Sequence, residues 1–212
     1  ILIFKGGNMI ATWKIRTDYA NATDIFDKVS PWFKESGAQM SAMLLNIGGH
    51  DGTFTMAAAF ENFEAFGKND DAWSSSPEWW QKMQPNFVNN ELLEAVYMNE
   101  FVGNIKSPSE KLPVFANFIF SHPDFDAVMK SFEIDEKHYM NNGSTGLAIH
   151  GLSGDRNNQY LFLARFNSMQ ELGKCMDVNY SSPDYWSSHK DYYKDLNIHL
   201  NFNSRVIKRD IY

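Results

Sequence analysis

The residues best suited to chemistry lie on the last predicted strand, where polar side chains recur at every second position. His199, Asn201, Asn203 and Arg205 share one face of a strand over residues 197–207, because side chains alternate between the two faces of a sheet. Arginine binds a carboxylate or phenolate, and histidine moves protons near neutral pH. If this row faces a cavity, His199 transfers a proton while Asn203 and Arg205 stabilise an anion. The alternatives are an exposed sheet face and a solvated barrel interior.

Two residues on neighbouring predicted strands join these candidates. His150 lies on a strand over residues 145–152, and Arg165 lies on its hairpin partner over 159–166. His150 is a second candidate for proton transfer, and Arg165 is a candidate for anion stabilisation. A structural histidine and an axial haem ligand are the alternatives for His150. None of the six histidines shows the spacing of a helical metal site, so we predict no metal ligands and no cofactor.

An internal repeat defines the elements that must position these residues. The segment FENFEAFGK at residues 60–68 returns as FNSMQELGK at 166–174. The motif SSPEWW at 75–80 likewise returns as SSPDYW at 181–186. Both segments recur at an offset of 106 positions, which is the spacing from Phe60 to Phe166. Two motifs in one frame predict a duplicated unit.

The repeat also predicts the division of the chain into domains. The same offset runs from Asp18 to Trp186 without a gap. A unit of about 100 residues is the size of a small domain rather than of a solenoid repeat. We therefore expect one copy at residues 10–102, a linker at 103–113 that is rich in Gly, Pro and polar residues, and a second copy at 114–208.

Hydrophobic periodicity gives each copy the same order of elements, β-α-β-β-α-β. This is the split βαβ, or ferredoxin-like, arrangement. Because the strands carry apolar residues on both faces, each sheet must bury its second face as well, and packing the two sheets together achieves this. The predicted fold class is α+β, with two tandem ferredoxin-like βαββαβ repeats packed sheet to sheet. In the second copy, the region over 184–196 is predicted to be helical and the last strand to end at 207.

A β-α-β-β-α-β unit with a Ser-Ser-Pro-x-x-Trp motif at its second helical region resembles the dimeric α+β barrel superfamily. That superfamily includes antibiotic-biosynthesis monooxygenase-like and NIPSNAP-like proteins. The resemblance implies that the two copies close an eight-stranded barrel within one chain, as a monomer with an internal pseudo-dimer. Further homodimerisation remains open. It also implies that Trp80 and Trp186 wall pockets between helix and sheet, whereas the alternative is that each motif only caps and anchors a helix.

Composition limits the partners. The formal net charge is −7 and no basic cluster interrupts it, which argues against nucleic acid and anionic membranes. No apolar run reaches the roughly 20 residues of a membrane span. Cys175 is the single cysteine, which fits a reducing, cytoplasmic setting. The 17 Phe, 9 Tyr and 6 Trp favour an aromatic-lined pocket, so a small apolar or aromatic molecule is the expected partner. Residues 1–8 are left out of the fold prediction.

Three functions remain open from the sequence. The first is a cofactor-independent oxygenase or isomerase of the monooxygenase-like kind, acting on an aromatic or apolar ligand. The second is a non-catalytic ligand-binding or stress-response module, and the third is a haem-binding barrel. The orientation of the polar row on the last strand distinguishes the first two, because chemistry needs a cavity that excludes water. The predicted ligand-binding residues are Trp80, Trp186, Tyr97, Asn201 and Asn203.

Overall fold

The computed structural model describes residues 9–48, 51–88, 90–105 and 112–212. The first half of this described chain contains β1 (Met9–Arg16), α1 (Tyr19–Glu35), β2 (Met40–Gly48), β3 (Thr53–Phe60), α2 (Phe63–Ser74), α3 (Pro77–Val88) and β4 (Glu91–Gly103). The second half contains β5 (Val114–Ser121), α4 (Phe125–Asn141), β6 (Gly146–Gly154), β7 (Tyr160–Phe166), α5 (Met169–Tyr180), α6 (Pro183–Ser188), a 3-10 turn (Tyr192–Lys194) and β8 (Asn197–Ile211).

The strands form one closed antiparallel barrel in the order β1-β3-β2-β8-β5-β7-β6-β4. Each half contributes four adjacent strands in the same relative order. The pairs β2–β8 and β6–β4 join the two halves. Closure leaves no free sheet edge, which is how barrels avoid edge-to-edge aggregation. The predicted α+β fold class with an eight-stranded barrel is confirmed.

The irregularities of the barrel also recur at the spacing of the sequence motifs. Within each half, a register shift leaves one residue of the last strand out of the pairing, Leu93 on β4 and His199 on β8. At the junctions between halves, the residues left out are Phe101 and Ile207. Each pair is separated by 106 positions. β-Bulges bend a strand and increase its twist, so the two halves curve at equivalent points.

Helix caps recur in the same way. The side chain of Asp18 accepts a hydrogen bond from the backbone N–H of Asn21 at the start of α1, and Asp124 accepts from Ala127 at the start of α4. After these helices the chain turns at Gly37 (φ +89°) and Gly143 (φ +102°), a left-handed conformation that glycine adopts without a steric penalty.

The helices cover the outside of the barrel, so the protein has an outer core on each half and an inner core within the barrel. The outer core of the first half is centred on buried aromatic residues such as Phe26 and Phe33, and that of the second half on Phe132 and Phe162. The inner core contains Val96, Met98, Ile119, Leu152 and Leu161. Most strands therefore bury residues on both faces, whereas the outward face of β8 is largely exposed.

Two details differ from the sequence prediction. The helix predicted over 184–196 ends at Ser188, because the hydroxyl of Ser188 and the ring of His189 compete for the carbonyl of Tyr185. The last strand continues to Ile211 instead of ending at 207.

The domain boundaries remain a prediction. The expected linker at 103–113 begins at Gly103, the last residue of β4, and includes residues 106–111, which lie outside the described residues. None of the described helices is both long and apolar enough to cross a membrane.

Candidate functional site

Three cavities in the described part of the chain could hold a ligand. The barrel cavity lies inside the strands and has a volume of about 220 Å³; its wall includes Thr12, Lys14, Glu94, Arg165 and Arg209. The first-half cavity, of about 260 Å³, lies between the first-half helices and the sheet and is lined by Trp13, Trp73, Trp79 and Trp80. The second-half cavity, of about 280 Å³, lies in the corresponding place on the other half and is lined by Phe162, Tyr185, Trp186 and Asp135.

Aromatic residues dominate the second-half cavity. The floor is formed by β5, β6, β7 and β8, and the roof by α4, α5, α6 and the 3-10 turn. Such a pocket suits a flat apolar ligand, and a few polar groups would fix its orientation. Its tyrosines are Tyr139, Tyr180, Tyr185, Tyr192 and Tyr193.

The polar groups of this cavity meet at Asp135 on α4. Tyr185 donates its phenolic O–H to Oδ1 of Asp135 at 3.0 Å. Nε2 of His189 lies 3.2 Å from the same oxygen, within ion-pair distance, but its N–H is not aimed well enough for a hydrogen bond. Nδ1 of His189 lies 2.8 Å from the carbonyl oxygen of Tyr185. Asp135 therefore lines the cavity, whereas His189 contacts Asp135 without lining the cavity itself.

The pKa of His189 is raised above its ordinary value. Burial is the largest influence and by itself lowers the pKa, but the carboxylate of Asp135 and the carbonyls of Tyr185 and Ser131 together outweigh it. His189 therefore binds its proton more tightly than an exposed histidine does. Together with the half-buried Asp135, it places a pair of titratable side chains beside the cavity.

The tyrosines around Asp135 keep their protons. Burial raises the pKa of Tyr139, Tyr185 and Tyr192 well above the usual phenol range, and it raises that of Tyr193 to about 12. The negative charge of Asp135 acts in the same direction. At neutral pH these side chains are hydrogen-bond donors, which suits them to stabilise an oxyanion on a ligand.

The first-half cavity lacks this polar cluster. At the positions 106 residues earlier, Val29 stands for Asp135, Trp79 for Tyr185 and Met83 for His189. These replacements remove the carboxylate, the phenol and the imidazole together. The asymmetry distinguishes the second-half cavity as the candidate active site.

Sequence reasoning missed Asp135, Tyr185 and His189 as candidate site residues. It searched the strands, whereas these residues lie on α4 and at the end of α6. The signal was available, because the offset that identified the repeat also pairs Val29 with Asp135 and Met83 with His189. A polar residue in place of an apolar one on the core face of a helix needs a partner or a function.

The polar row of β8 does not form one site. Phe202 and Ser204 line the barrel cavity and Leu200 packs against the inner core, so the alternating row faces outward. His199 is exposed and its Nε2 lies 3.0 Å from the hydroxyl of Ser121, while Arg205 is exposed. Asn201 lines the second-half cavity, and Asn203 is half-buried on the same outward face.

The other predicted residues lie in separate places. Arg165 is buried and lines the barrel cavity. Trp80 and Trp186 are about half exposed and line the first-half and second-half cavities respectively, while the preceding Ser-Ser-Pro segments also cap the helices. Tyr97 packs against Phe66, with ring centroids 5.1 Å apart.

His150 is buried inside the barrel wall rather than in a helix-covered cavity. Its Nε2 lies 3.7 Å from Oε2 of Glu100, and neither ring nitrogen has a hydrogen-bond partner. Burial lowers the pKa of His150 to about 4 and raises the pKa of Glu100. Both groups are therefore favoured in their neutral forms.

A cluster of charged side chains lies at one end of the barrel cavity. Nζ of Lys14 lies 2.6 Å from Oε2 of Glu94, and Arg156 pairs with the other oxygen of the same carboxylate. Burial raises the pKa of Glu94, but the hydrogen bonds and charges of Lys14 and Arg156 outweigh it and bring the pKa below its ordinary value. The Glu94 carboxylate is thus paired with two cations, and pairing is what a charge shielded from water requires.

The described residues of the second-half cavity do not fit a haem. No histidine lines it, and both ring nitrogens of His189 face protein atoms, Asp135 on one side and the carbonyl of Tyr185 on the other. A tyrosinate ligand is disfavoured because burial raises the tyrosine pKa values. Within the described ranges, no group of three His, Cys, Asp or Glu side chains is placed to hold a metal ion.

The architecture is found in solved structures of other proteins. An anthrone oxidase-like protein is similar to this chain with a TM-score of 0.67 and 8% identity, over 98% of this chain and 94% of the other. A protein named "putative monooxygenase" from Lactobacillus acidophilus NCFM has a TM-score of 0.62 and 10% identity, with 97% and 96% covered. A heme-binding protein from Thermus thermophilus has a TM-score of 0.57 and 8% identity, with 96% and 92% covered.

No family model matches the sequence, and a comparison with curated proteins finds no match. At identities this low, structural similarity establishes the fold alone. Together with the closed barrel and its outer helices, it shows that the chain has the dimeric α+β barrel fold.

Proposed function

We propose that the second-half cavity binds an aromatic small molecule and that Asp135 takes a proton from it, in a cofactor-independent reaction of the antibiotic-biosynthesis monooxygenase-like kind. The observation that carries the proposal is the cluster of Asp135, Tyr185 and His189 on the wall of an aromatic cavity. A closed apolar pocket, a proton acceptor and oxyanion donors are the parts that such chemistry needs.

The first step is proton transfer. Asp135 accepts a proton from an acidic C–H or O–H of the bound ligand, and charge moves onto a ligand oxygen. Tyrosine O–H groups such as those of Tyr192 and Tyr193 are positioned on the cavity wall to donate to that oxygen. The cation of His189 holds Asp135 and stabilises its carboxylate before the transfer, so His189 is a positioning residue.

The second step uses the ligand itself as the reductant. An aromatic ligand with a methylene next to a carbonyl forms an enolate after losing a proton, and the enolate reduces O₂. The balance is one CH₂ group and one O₂ giving one C=O group and one water, with every electron supplied by the ligand. The names of two structural neighbours, one a "putative monooxygenase" and one an "anthrone oxidase-like protein", support this class of reaction.

Other predicted residues take secondary roles in this proposal. Trp186 and Asn201 form part of the ligand wall, while His150 and Arg165 belong to the barrel interior and His199 and Arg205 to the outer surface. We further propose that the copies at 10–102 and 114–208 are a tandem duplication that acts as one monomer.

The cellular setting is inferred from the single cysteine. Cys175 is buried, and burial raises its pKa to about 11, so its thiol is unreactive at neutral pH. A chain with one inert thiol suits a reducing compartment, and we propose a cytoplasmic location.

The test measures O₂ consumption with anthrone as the probe ligand. We expect the protein to accelerate conversion of anthrone to the quinone above the rate in buffer, with one O₂ consumed per molecule and no hydrogen peroxide released. Asp135→Asn removes the proton acceptor while keeping its shape, and the rate above background should fall by about 10²–10⁴-fold. His189→Met, which copies the residue of the first half, should lower the rate and alter its pH profile.

The matched control is Glu133→Gln, an exposed carboxylate on the same helix. It should leave the rate unchanged. An Asp135→Asn protein that oxidises anthrone as fast as the unaltered chain would refute Asp135 as the proton acceptor. Saturable binding of anthrone without any acceleration would instead favour the non-catalytic ligand-binding module, an alternative supported by the outward-facing row of β8.

A further inference from the structure

Four tryptophans form a box around the first-half cavity. Trp13 and Trp73 have ring centroids 5.9 Å apart at 78°, Trp73 and Trp79 lie 4.5 Å apart at 86°, and Trp79 and Trp80 lie 4.8 Å apart at 88°. Successive rings are thus nearly perpendicular, as in adjacent walls of a box. All four line the same space of about 260 Å³.

A carboxylate completes the box. Asp70 lines the cavity from its exposed position on α2 and accepts a hydrogen bond from the indole N–H of Trp73 at 3.1 Å. Among the described residues of this wall there is no lysine or arginine, and the other lining side chains include the thioethers of Met56 and Met83. The electrostatic character of the wall is therefore that of aromatic faces and one negative charge.

We propose that the first-half cavity binds a small organic cation of the alkylated ammonium class, such as a choline-like trimethylammonium group. The face of an indole attracts a cation through its quadrupole, and tryptophan gives the strongest such interaction among the aromatic side chains. Alkyl groups on the nitrogen supply apolar surface for the ring walls, and Asp70 balances the charge. A neutral ligand of the same shape gains the apolar contacts but not the attraction to the rings or to Asp70.

The second-half cavity does not repeat this box of tryptophans. Phe118 takes the place of Trp13, because it pairs with Phe162 on β7 as Trp13 pairs with Met56 on β3. At an offset of 106 positions, Asn179 replaces Trp73 and Met176 replaces Asp70. The cation site is therefore separate from the cluster around Asp135, and it does not depend on the function proposed for that cluster. One chain would carry two unlike ligand sites on the two halves of one barrel.

The test compares choline with 3,3-dimethylbutan-1-ol, a neutral molecule of nearly the same shape. Binding to the full chain is followed by quenching of tryptophan fluorescence and by calorimetry. We expect saturable binding of choline that is about tenfold tighter than that of the alcohol, in the range that cation–π attraction gives. Titration with phosphatidylcholine vesicles in parallel shows whether the same group is also recognised on a lipid.

Two variants locate the site. Asp70→Asn keeps an acceptor for the Trp73 indole and removes only the charge, so choline binding should weaken about fivefold while binding of the alcohol stays the same. The matched control is Asp71→Asn, which removes the neighbouring exposed charge and should change neither ligand. Trp73→Leu should weaken choline binding at least tenfold, with circular dichroism confirming that the variant is folded.

Equal affinity for choline and its neutral counterpart would overturn the proposal, because the cavity would then be a plain apolar pocket. Equal weakening by Asp70→Asn and Asp71→Asn would also overturn it, since only overall charge would matter. Absence of saturable choline binding would do the same. None of these outcomes bears on anthrone oxidation at the other cavity.

Discussion

His150 and Glu100 are the pair of titratable residues most isolated from water inside the barrel. The histidine must remain neutral in the folded protein, because its pKa is lowered to about 4, against 6.5 for an exposed imidazole. Between pH 6.5 and pH 4, the unfolded chain therefore binds a proton at His150 that the folded chain does not bind. Stability should fall as the pH drops through this window, by about 3 kcal/mol in total.

His150→Leu introduces the residue found 106 positions earlier, Leu44, and should remove this loss of stability at low pH. Chemical denaturation at a series of pH values measures the free energy of unfolding of both proteins. The free energy of unfolding of His150→Leu, minus that of the unaltered chain, should increase steadily from pH 6.5 down to pH 4. Glu100 has a raised pKa and contributes an opposite slope. Because Glu100 lies beside His150, both chains are compared in a Glu100→Gln background, which removes that slope.

The exposed His199 provides the control for this experiment. His199→Leu makes the same change of residue type at an exposed position and is measured in parallel. A difference curve for His150→Leu that is flat between pH 4 and pH 6.5 would show that the folded protein accommodates a protonated His150.

The sequence identifies candidate site residues by their type and spacing, but it does not show what surrounds each of them in the fold. Arg165 and His150 were selected as candidates on strands, and both are buried. Period-two alternation shows that His199, Asn201 and Arg205 share a face, but it cannot show which face of the sheet points inward. That depends on how the barrel closes, which is a property of all eight strands together.

At the scale of elements, most strands and helices followed from local pattern. Glycine is a common residue at helix ends, and the structure ends α1 and α4 just before Gly37 and Gly143. One exception is the end of α6, where the side chains of Ser188 and His189 bind a backbone carbonyl and stop the helix. Competition between side chain and backbone depends on rotamers, which the periodicity of apolar residues does not describe.

The start of β6 shows where an element depends on one small residue. A Cβ atom on Gly146 would lie 2.6 Å from the Cα atom of Ile105, a backbone atom that cannot move without disturbing the β4–β6 junction. Gly146→Ala should therefore lower the free energy of unfolding by about 1–3 kcal/mol, the usual cost of overpacking. Thermal or chemical denaturation measures the change.

Gly173 gives a matched substitution with the opposite expected sign. It lies within α5, and a Cβ atom there would meet nothing within 4 Å. Gly173→Ala should stabilise the protein by about 0.5–1 kcal/mol, since alanine loses less backbone entropy in a helix. If both alanines changed stability alike, contact with Ile105 would not be what makes Gly146 necessary.

At the scale of the whole molecule, neither half can complete its structure alone. Residues 9–105 without the second half would expose the barrel-facing side of four strands and the free edges of β2 and β4. Exposed edges and apolar faces promote association. We expect fragments 9–105 and 112–212, produced separately, to be oligomeric or aggregated, and to form a one-to-one complex when refolded together.

Size-exclusion chromatography with light scattering measures the assembly, and circular dichroism reports whether the complex regains the spectrum of the intact chain. Two stable, monomeric fragments that do not bind each other would contradict the expectation. They would also contradict the proposed tandem duplication acting as one unit, because each half would then bury its own surface.

The matched register shifts at Leu93, His199, Phe101 and Ile207 have a consequence for how such a chain can change its length. A residue added within a strand would displace the pairing on both sides and would have to be compensated around the entire ring. The connections to the outer helices can differ in length without changing the strand pairing. Two residues link β1 to α1, at 17–18, whereas three link β5 to α4, at 122–124. Designed insertions, such as a fluorescent tag or an affinity loop, therefore belong in these connections.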